Sequence, residues 1–188
     1  MDSIAEFYIV VDIEAAGPVP GSFAMLSLGA ATLTHPRETF YIELQPDSEN
    51  FLPDALSISG LSMQDLSMTG TPPKEAMQQF ADWVEMVSPG GQKPVFTAFN
   101  APFDWMFISE YFHRYLGYNP FGHKALDIKA LFMGLHKVPF SDTSHRKICQ
   151  HYNLQSSLSH HALEDAVQEA DLLQKILDEI KQEREEKK

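Results

Sequence analysis

Apolar and polar positions in the first half of the chain fall into short runs of strand type. Residues 6–14 (EFYIVVDIE) are an apolar run that predicts a central strand, buried on both faces. Residues 22–34 (SFAMLSLGAATLT) predict a second strand and 38–44 (ETFYIEL) a third, with THPR as the turn between them. Connections this short predict an antiparallel meander. Residues 45–73, rich in Pro, Ser, Asp and Met, read as irregular, with one helical turn at LSMQDL. A connection of that length inside one domain is often functional.

Beyond residue 72 the period becomes helical. In 72–87, proline opens a helix whose face is Ala76, Phe80, Val84 and Val87. A strand is predicted over 93–99 and a helix over 101–116, with Pro102 near its start. KALDI (124–128) predicts a short strand running into a helix, and 142–153 another helix. The last helix starts near His161, with the stripe Leu163, Ala166, Val167, Ala170, Leu173, Leu177 and Ile180. Strands first, then helices alternating with two more strands, predict an α/β domain with a mixed five-stranded sheet covered on both faces. The domain is expected over residues 1–180, and 181–188 as a solvated, frayed, charged tail.

Composition narrows the picture. The chain has 188 residues, 44% of them hydrophobic, enough for one domain with its own core. Phe23, Trp105, Phe121 and most of the eight methionines are assigned to that core. No apolar run is long enough for a membrane span, and the acidic start is unlike a signal peptide. Cys149 is the only cysteine, which excludes an internal disulfide and fits a reducing, cytoplasmic setting. A net charge of −12 argues against a broad basic surface for duplex nucleic acid, but not against a small acidic pocket holding cations.

Asp12 and Glu14 stand two residues apart on one strand face, with Cα atoms about 6.5 Å apart. Two carboxylates that close resist burial, and a divalent cation with hard oxygen ligands resolves the conflict. The alternative is a strand end that has emerged into solvent. Asp104, in FNAPFDW, sits in the first turn of a helix with Asn100 as the expected cap, a position acids also take for capping alone. In SHHALEDAVQEA, Asp165 lies on the flank of the apolar stripe, Glu164 points elsewhere, and Glu169 is a weaker competing ligand. His160 and His161 are both candidate bases, since imidazole titrates near neutrality. Helical spacing puts His161 closer to Asp165. No His-Glu-x-x-His helix or cysteine pair is present, which disfavours a zinc hydrolase.

DIEAAG, NAPFD and HHALEDA, in this order and spacing, resemble the three motifs of the DEDDh 3′-5′ exonuclease superfamily, which includes proofreading exonucleases, ribonuclease T and oligoribonuclease. MLSLGAATL, SISGLSMQDL and ALDIKAL resemble flanking segments of the same superfamily. The resemblance implies a ribonuclease H-like fold and metal-dependent hydrolysis of single-stranded DNA or RNA from its 3′ end to nucleoside 5′-monophosphates. It implies Asp12, Glu14, Asp104 and Asp165 as ligands of two Mg²⁺ ions, with Mn²⁺ as a substitute. The motif His-x-Ala-Leu-x-Asp-Ala selects His160 as the base over His161. Backbone at Ala15 and Ala16 is implied to hold the terminal hydroxyl. Asn100, Phe103 and Leu61 are further expected substrate contacts, Phe103 lying against the terminal nucleotide and Leu61 wedging beside it. Ala16 stands where Thr is frequent, and tilts the resemblance toward ribonuclease T, whose relatives dimerise. Expected partners are therefore a nucleic-acid 3′ end, a second copy, or a polymerase, and not a membrane. Two alternatives stay open: a ribonuclease of short oligonucleotides or tRNA ends, and a catalytically silent binding module.

Overall fold

The structure, a computed structural model, describes residues 6–156 and 159–187. The remaining residues, among them Met1 and the last residue of the expected tail, Lys188, lie outside the described set.

Five strands form one sheet in the order β3-β2-β1-β4-β5. β1 (Tyr8–Ala15), β2 (Met25–Thr32) and β3 (Thr39–Glu43) make the expected antiparallel meander. β4 (Val95–Ala98) joins β1 in parallel, and β5 (Ala125–Asp127) joins β4 in parallel. β1 is central because Ile9, Val10, Val11 and Ile13 bury both of its faces. One face, with Ile9, Val11 and Ile13, packs on α3 (Pro73–Val87) and α4 (Pro102–Leu116) through Phe80, Phe107, Tyr111 and Phe112. The other, with Val10, packs on α5 (Ile128–His136), α6 (His145–His151) and α7 (Ala162–Glu186) through Phe132, Ile148, Leu173 and Ile176. Period-2 alternation puts Asp12 and Glu14 on this second face.

Gly29 is paired with Asp12 across β1 and β2. A Cβ there would lie 2.2 Å from the carbonyl carbon of Ala162. Only glycine lets the first turn of α7 settle this close to the sheet, and that approach carries Asp165 over Asp12's face of the strand.

Several expectations are corrected. The 45–73 segment holds two helices, α1 (Pro53–Ser59) and α2 (Met63–Thr69), instead of one turn. α1 buries no residue and α2 only Leu66, so neither leaves an apolar stripe in the sequence. Their ends are local: Pro53 opens α1, left-handed Gly60 closes it, and the Ser62 side chain accepts from the Asp65 amide to cap α2. α7 runs on to Glu186, so 181–186 is exposed but helical rather than frayed. Its buried face is Ala162, Asp165, Ala166, Glu169, Ala170, Leu172, Leu173 and Ile176, which puts Asp165 within the buried face and not on its flank. Phe121 is core, while Phe23 and Trp105 are half-buried at its edge. Among the described methionines only Met25 and Met77 are buried, and Met68 and Met86 are exposed. No described helix is long and apolar enough to cross a membrane.

Candidate active site

The parallel pairing of β1 with β4 ends at Val10–Thr97, so the two strands part before Asp12. Beyond that point the Ile13 amide donates to Asp104 Oδ1 at 3.2 Å. Asp104 thereby bridges the opening between the carboxyl ends of two parallel strands, the usual ligand-binding position in such sheets. A bulge between Glu14 and Ala15 then bends β1 away.

α7 closes the site from the other side. Asp165 accepts from the Ser159 amide and hydroxyl at Oδ1 and from the His160 amide at Oδ2. His160 holds a left-handed φ of 56°, a constraint on the turn that leads into the helix. One nitrogen of His160 and one carboxylate oxygen each of Glu14 and Asp165 lie within 4.8 Å of one another. His161 is not among them. It is the N-cap residue of α7, with extended backbone, and its ring stacks on Tyr41 at 4.5 Å. The helical-spacing argument for His161 fails because the helix starts one residue after it.

Glu169, one turn beyond Asp165, belongs to the same cluster. It is 3% exposed, and its Oε2 accepts from the Phe99 amide at 3.1 Å. Asp104 and Asp165 are equally buried. Burial, and then the charges of Glu169, Asp104, Glu14 and Asp165, hold the Asp12 carboxyl well above the usual carboxylate range. Burial followed by Asp165 pushes Glu14 up to about 7. Burial pushes Asp104 up to about 8, against the hydrogen bond from Ile13. Burial and then Asp104 raise Glu169 as well. Among the described residues, none of these five acids forms a salt bridge with a lysine or arginine. Crowded, buried carboxylates with no cationic side chain beside them fit hard divalent cations.

Beside Glu14 opens a cleft of about 300 Å³, lined by Glu14, Ala15, Gly17, Pro18, Leu52, Ala55, Ile58 and Phe103. Ala15 and Phe103 thus reach a space that fits an apolar ring. Leu61 instead packs with Phe23 and Met63 against Ala16, Leu26 and Leu66. Leu52, the N-cap residue of α1, and Ile58 within it, 44% and 55% exposed, hold the position by the cleft expected of Leu61. Ala16 is fully buried, its amide donating to Ala24 and its carbonyl accepting from Leu52, so its backbone is already paired. Asn100 does not cap α4 through its side chain. Its carbonyl accepts from the Phe103 amide, its φ is 66°, and its Oδ1 accepts from Lys129 at 3.5 Å. Asparagine tolerates this left-handed turn better than most residues.

Glu169, a weaker competing ligand by sequence, joins the cluster as its spacing of four from Asp165 implies, with one oxygen engaged by the Phe99 amide. Sequence reasoning passed over Ser159, for which the sequence carries no signal.

The Exonuclease family model, RNase_T, matches residues 9–173. A 3′-5′ DNA exonuclease from Escherichia coli, Cap18, is 41% identical over 171 residues, 91% of each chain. The nuclease domain of 3′hExo, a DEDDh family member solved with rAMP, superposes with a TM-score of 0.80 at 18% identity, over 95% of each chain. E. coli Exonuclease I in complex with a dT13 oligonucleotide gives 0.72 at 16% identity, over 96% of this chain and 42% of that one. The last two show a shared fold. With the family model spanning both ends of the acidic cluster, the chain belongs to the exonuclease family, within the DEDDh 3′-5′ exonuclease superfamily.

Proposed function

We propose that this enzyme removes nucleotides singly from the 3′ end of single-stranded DNA, with Mg²⁺ as its cofactor and Mn²⁺ as a substitute. The observation that carries the proposal is the convergence of Glu14, His160 and Asp165 on one point beside an apolar cleft. The choice of DNA over RNA follows the relative's name.

Asp12, Glu14, Asp104 and Asp165 would hold the cations. Bound there, the cations neutralise the acids and supply water of lowered pKa at the phosphate. His160 accepts the proton of the attacking water at its imidazole. The oxygen attacks phosphorus, the bond to the 3′ oxygen of the preceding nucleotide breaks, and that oxygen takes up a proton from solvent as it leaves, while His160 gives its own proton back to solvent. The product is a nucleoside 5′-monophosphate. Phe103 and the α1 residues give the terminal nucleotide an apolar seat, which tolerates any base because every base has a flat face. Ala15 lines that seat beside Glu14.

The presence of four acids and the histidine favours an enzyme over a silent binding module. The buried thiol of Cys149 suits a reducing cytoplasm. Ribonuclease T-like pairing into a homodimer is read by sedimentation of the purified protein.

The test uses 5′-labelled single strands of DNA and RNA with Mg²⁺, Mn²⁺ or EDTA. Mononucleotides are expected from the 3′ end of DNA, only with metal. The Asp12→Ala protein should lose at least about 10²-fold in rate and take up less Mg²⁺ in calorimetry. Undiminished degradation by that variant overturns the metal assignment.

A further inference from the structure

We propose that Phe140 and Lys129 form a second contact for the substrate strand, upstream of the nucleotide being removed; the proposal rests on the exonuclease reading above. Phe140 is 64% exposed, yet it does not sit on a loose loop. It opens a 3-10 turn, Phe140–Asp142, closed by the Thr143 amide and hydroxyl donating to its carbonyl at 3.1 and 2.7 Å. Thr143 itself is fully buried. Lys147 ties the turn down further, donating to the Ser141 carbonyl and to Asp142. A rigid turn therefore holds a large apolar ring out in water, which core packing does not explain.

The ring is joined to the active site by a cation. Lys129 Nζ stands 4.5 Å from the centre of the Phe140 ring and 5.8 Å from that of Phe99. It also donates to Asn100. Phe99 is the residue whose amide binds Glu169, and Asn100 opens the segment that delivers Asp104. Lys129 follows directly on the carboxyl end of β5, two strand positions from β1, or about 10 Å across the sheet. Through Phe99 and Asn100 it stands next to the segment that binds Glu169 and leads into Asp104's helix.

Charge supports an anionic occupant. Among the described residues neither Lys129 nor exposed Arg146, in the first turn of α6, forms a salt bridge, in a chain of net charge −12. His145, beside Arg146, sets its ring edge-on to Phe99 at 5.2 Å, so this part of α6 borders the same rim. A cation with no carboxylate partner and an exposed aromatic ring, side by side, match a phosphate and the base attached to it. The contact is independent of sequence and acts only on substrates long enough to reach it.

The experiment compares a dinucleotide with a 12-nucleotide single strand of DNA, with Mg²⁺ present. Phe140→Ala and Lys129→Ala should each lower kcat/KM on the 12-mer, about tenfold for Phe140, chiefly through KM. The loss on the dinucleotide should be several-fold smaller. Phe140→Trp and Lys129→Arg should restore most of the 12-mer rate. Lys129→Ala should also flatten the log–log salt dependence of 12-mer binding, measured with Ca²⁺ in place of Mg²⁺, by about 0.7. Equal losses on both substrates, or none on the 12-mer, overturn the proposal. A parent protein that releases no mononucleotide from either substrate overturns the exonuclease reading instead.

Discussion

At the scale of single residues, the two adjacent histidines give the sharpest contrast. His160 faces Glu14 and Asp165, while His161 stacks on Tyr41 behind the site. Loss of a positioned base costs about 10²–10⁴ in rate. Turnover by His160→Ala should fall within that range, and turnover by His161→Ala by less than about tenfold. A reversed order in single-turnover assays would reassign the base. Glu169 allows a second prediction. Without metal, burial and the crowding of like groups hold its carboxyl well above the usual carboxylate range, and a glutamine there keeps an acceptor for the Phe99 amide. Glu169→Gln should raise the metal-free melting temperature by a few degrees, since about 1 kcal/mol moves a domain of this size by about 2–4 °C. The same change should weaken Mg²⁺ uptake in calorimetry. A lower metal-free melting temperature would show that the hydrogen bond outweighs the repulsion.

At the scale of elements, the arrangement turns on how closely α7 lies on the sheet. Gly29→Ala puts a methyl group into the backbone of Ala162 and Leu163, which cannot move aside as a side chain can. Overpacking of this kind costs about 1–3 kcal/mol. The expected result is a lower melting temperature together with weaker Mg²⁺ binding, because Asp165 rides on the displaced turn. Unchanged metal affinity would separate the helix position from the site. The strands and the long helices were legible because each buries a face, and burial leaves a period in the sequence. α1 and α2 were not, because α1 fully buries no residue and α2 only one. Asp12, Glu14, Asp104 and Asp165 were legible from motif order, while the seat beside Glu14 was not. Its Leu52, Ala55 and Ile58 come from α1 and its N-cap, a helix whose existence no local pattern announced.

At the scale of the whole molecule, the crowded carboxyls of Asp12, Glu14, Asp104 and Glu169 couple folding to protons, and the cluster as a whole couples it to metal. Glu14 and Asp104 have folded-state pKa values of about 7 and about 8, above the roughly 4 of an unfolded chain. Raised values mean that the folded state holds more protons than the unfolded one across that window. The stability present below it is therefore lost as pH rises through the folded values. The metal-free protein should melt at progressively lower temperature from about pH 5 to about pH 8. Added Mg²⁺ should restore most at the alkaline end, where the carboxylates are ionised. A flat metal-free profile in calorimetry would contradict the crowding of charge.

Helix α7 begins with an acid of the cluster and continues in one piece to Glu186. Twenty-one residues at 1.5 Å each set Glu186 about 30 Å from Asp165. A dye or surface tether fixed at that distal end would stand well away from the acids, yet be rigidly registered to them. It would turn the helix into a ruler for following a strand as it shortens.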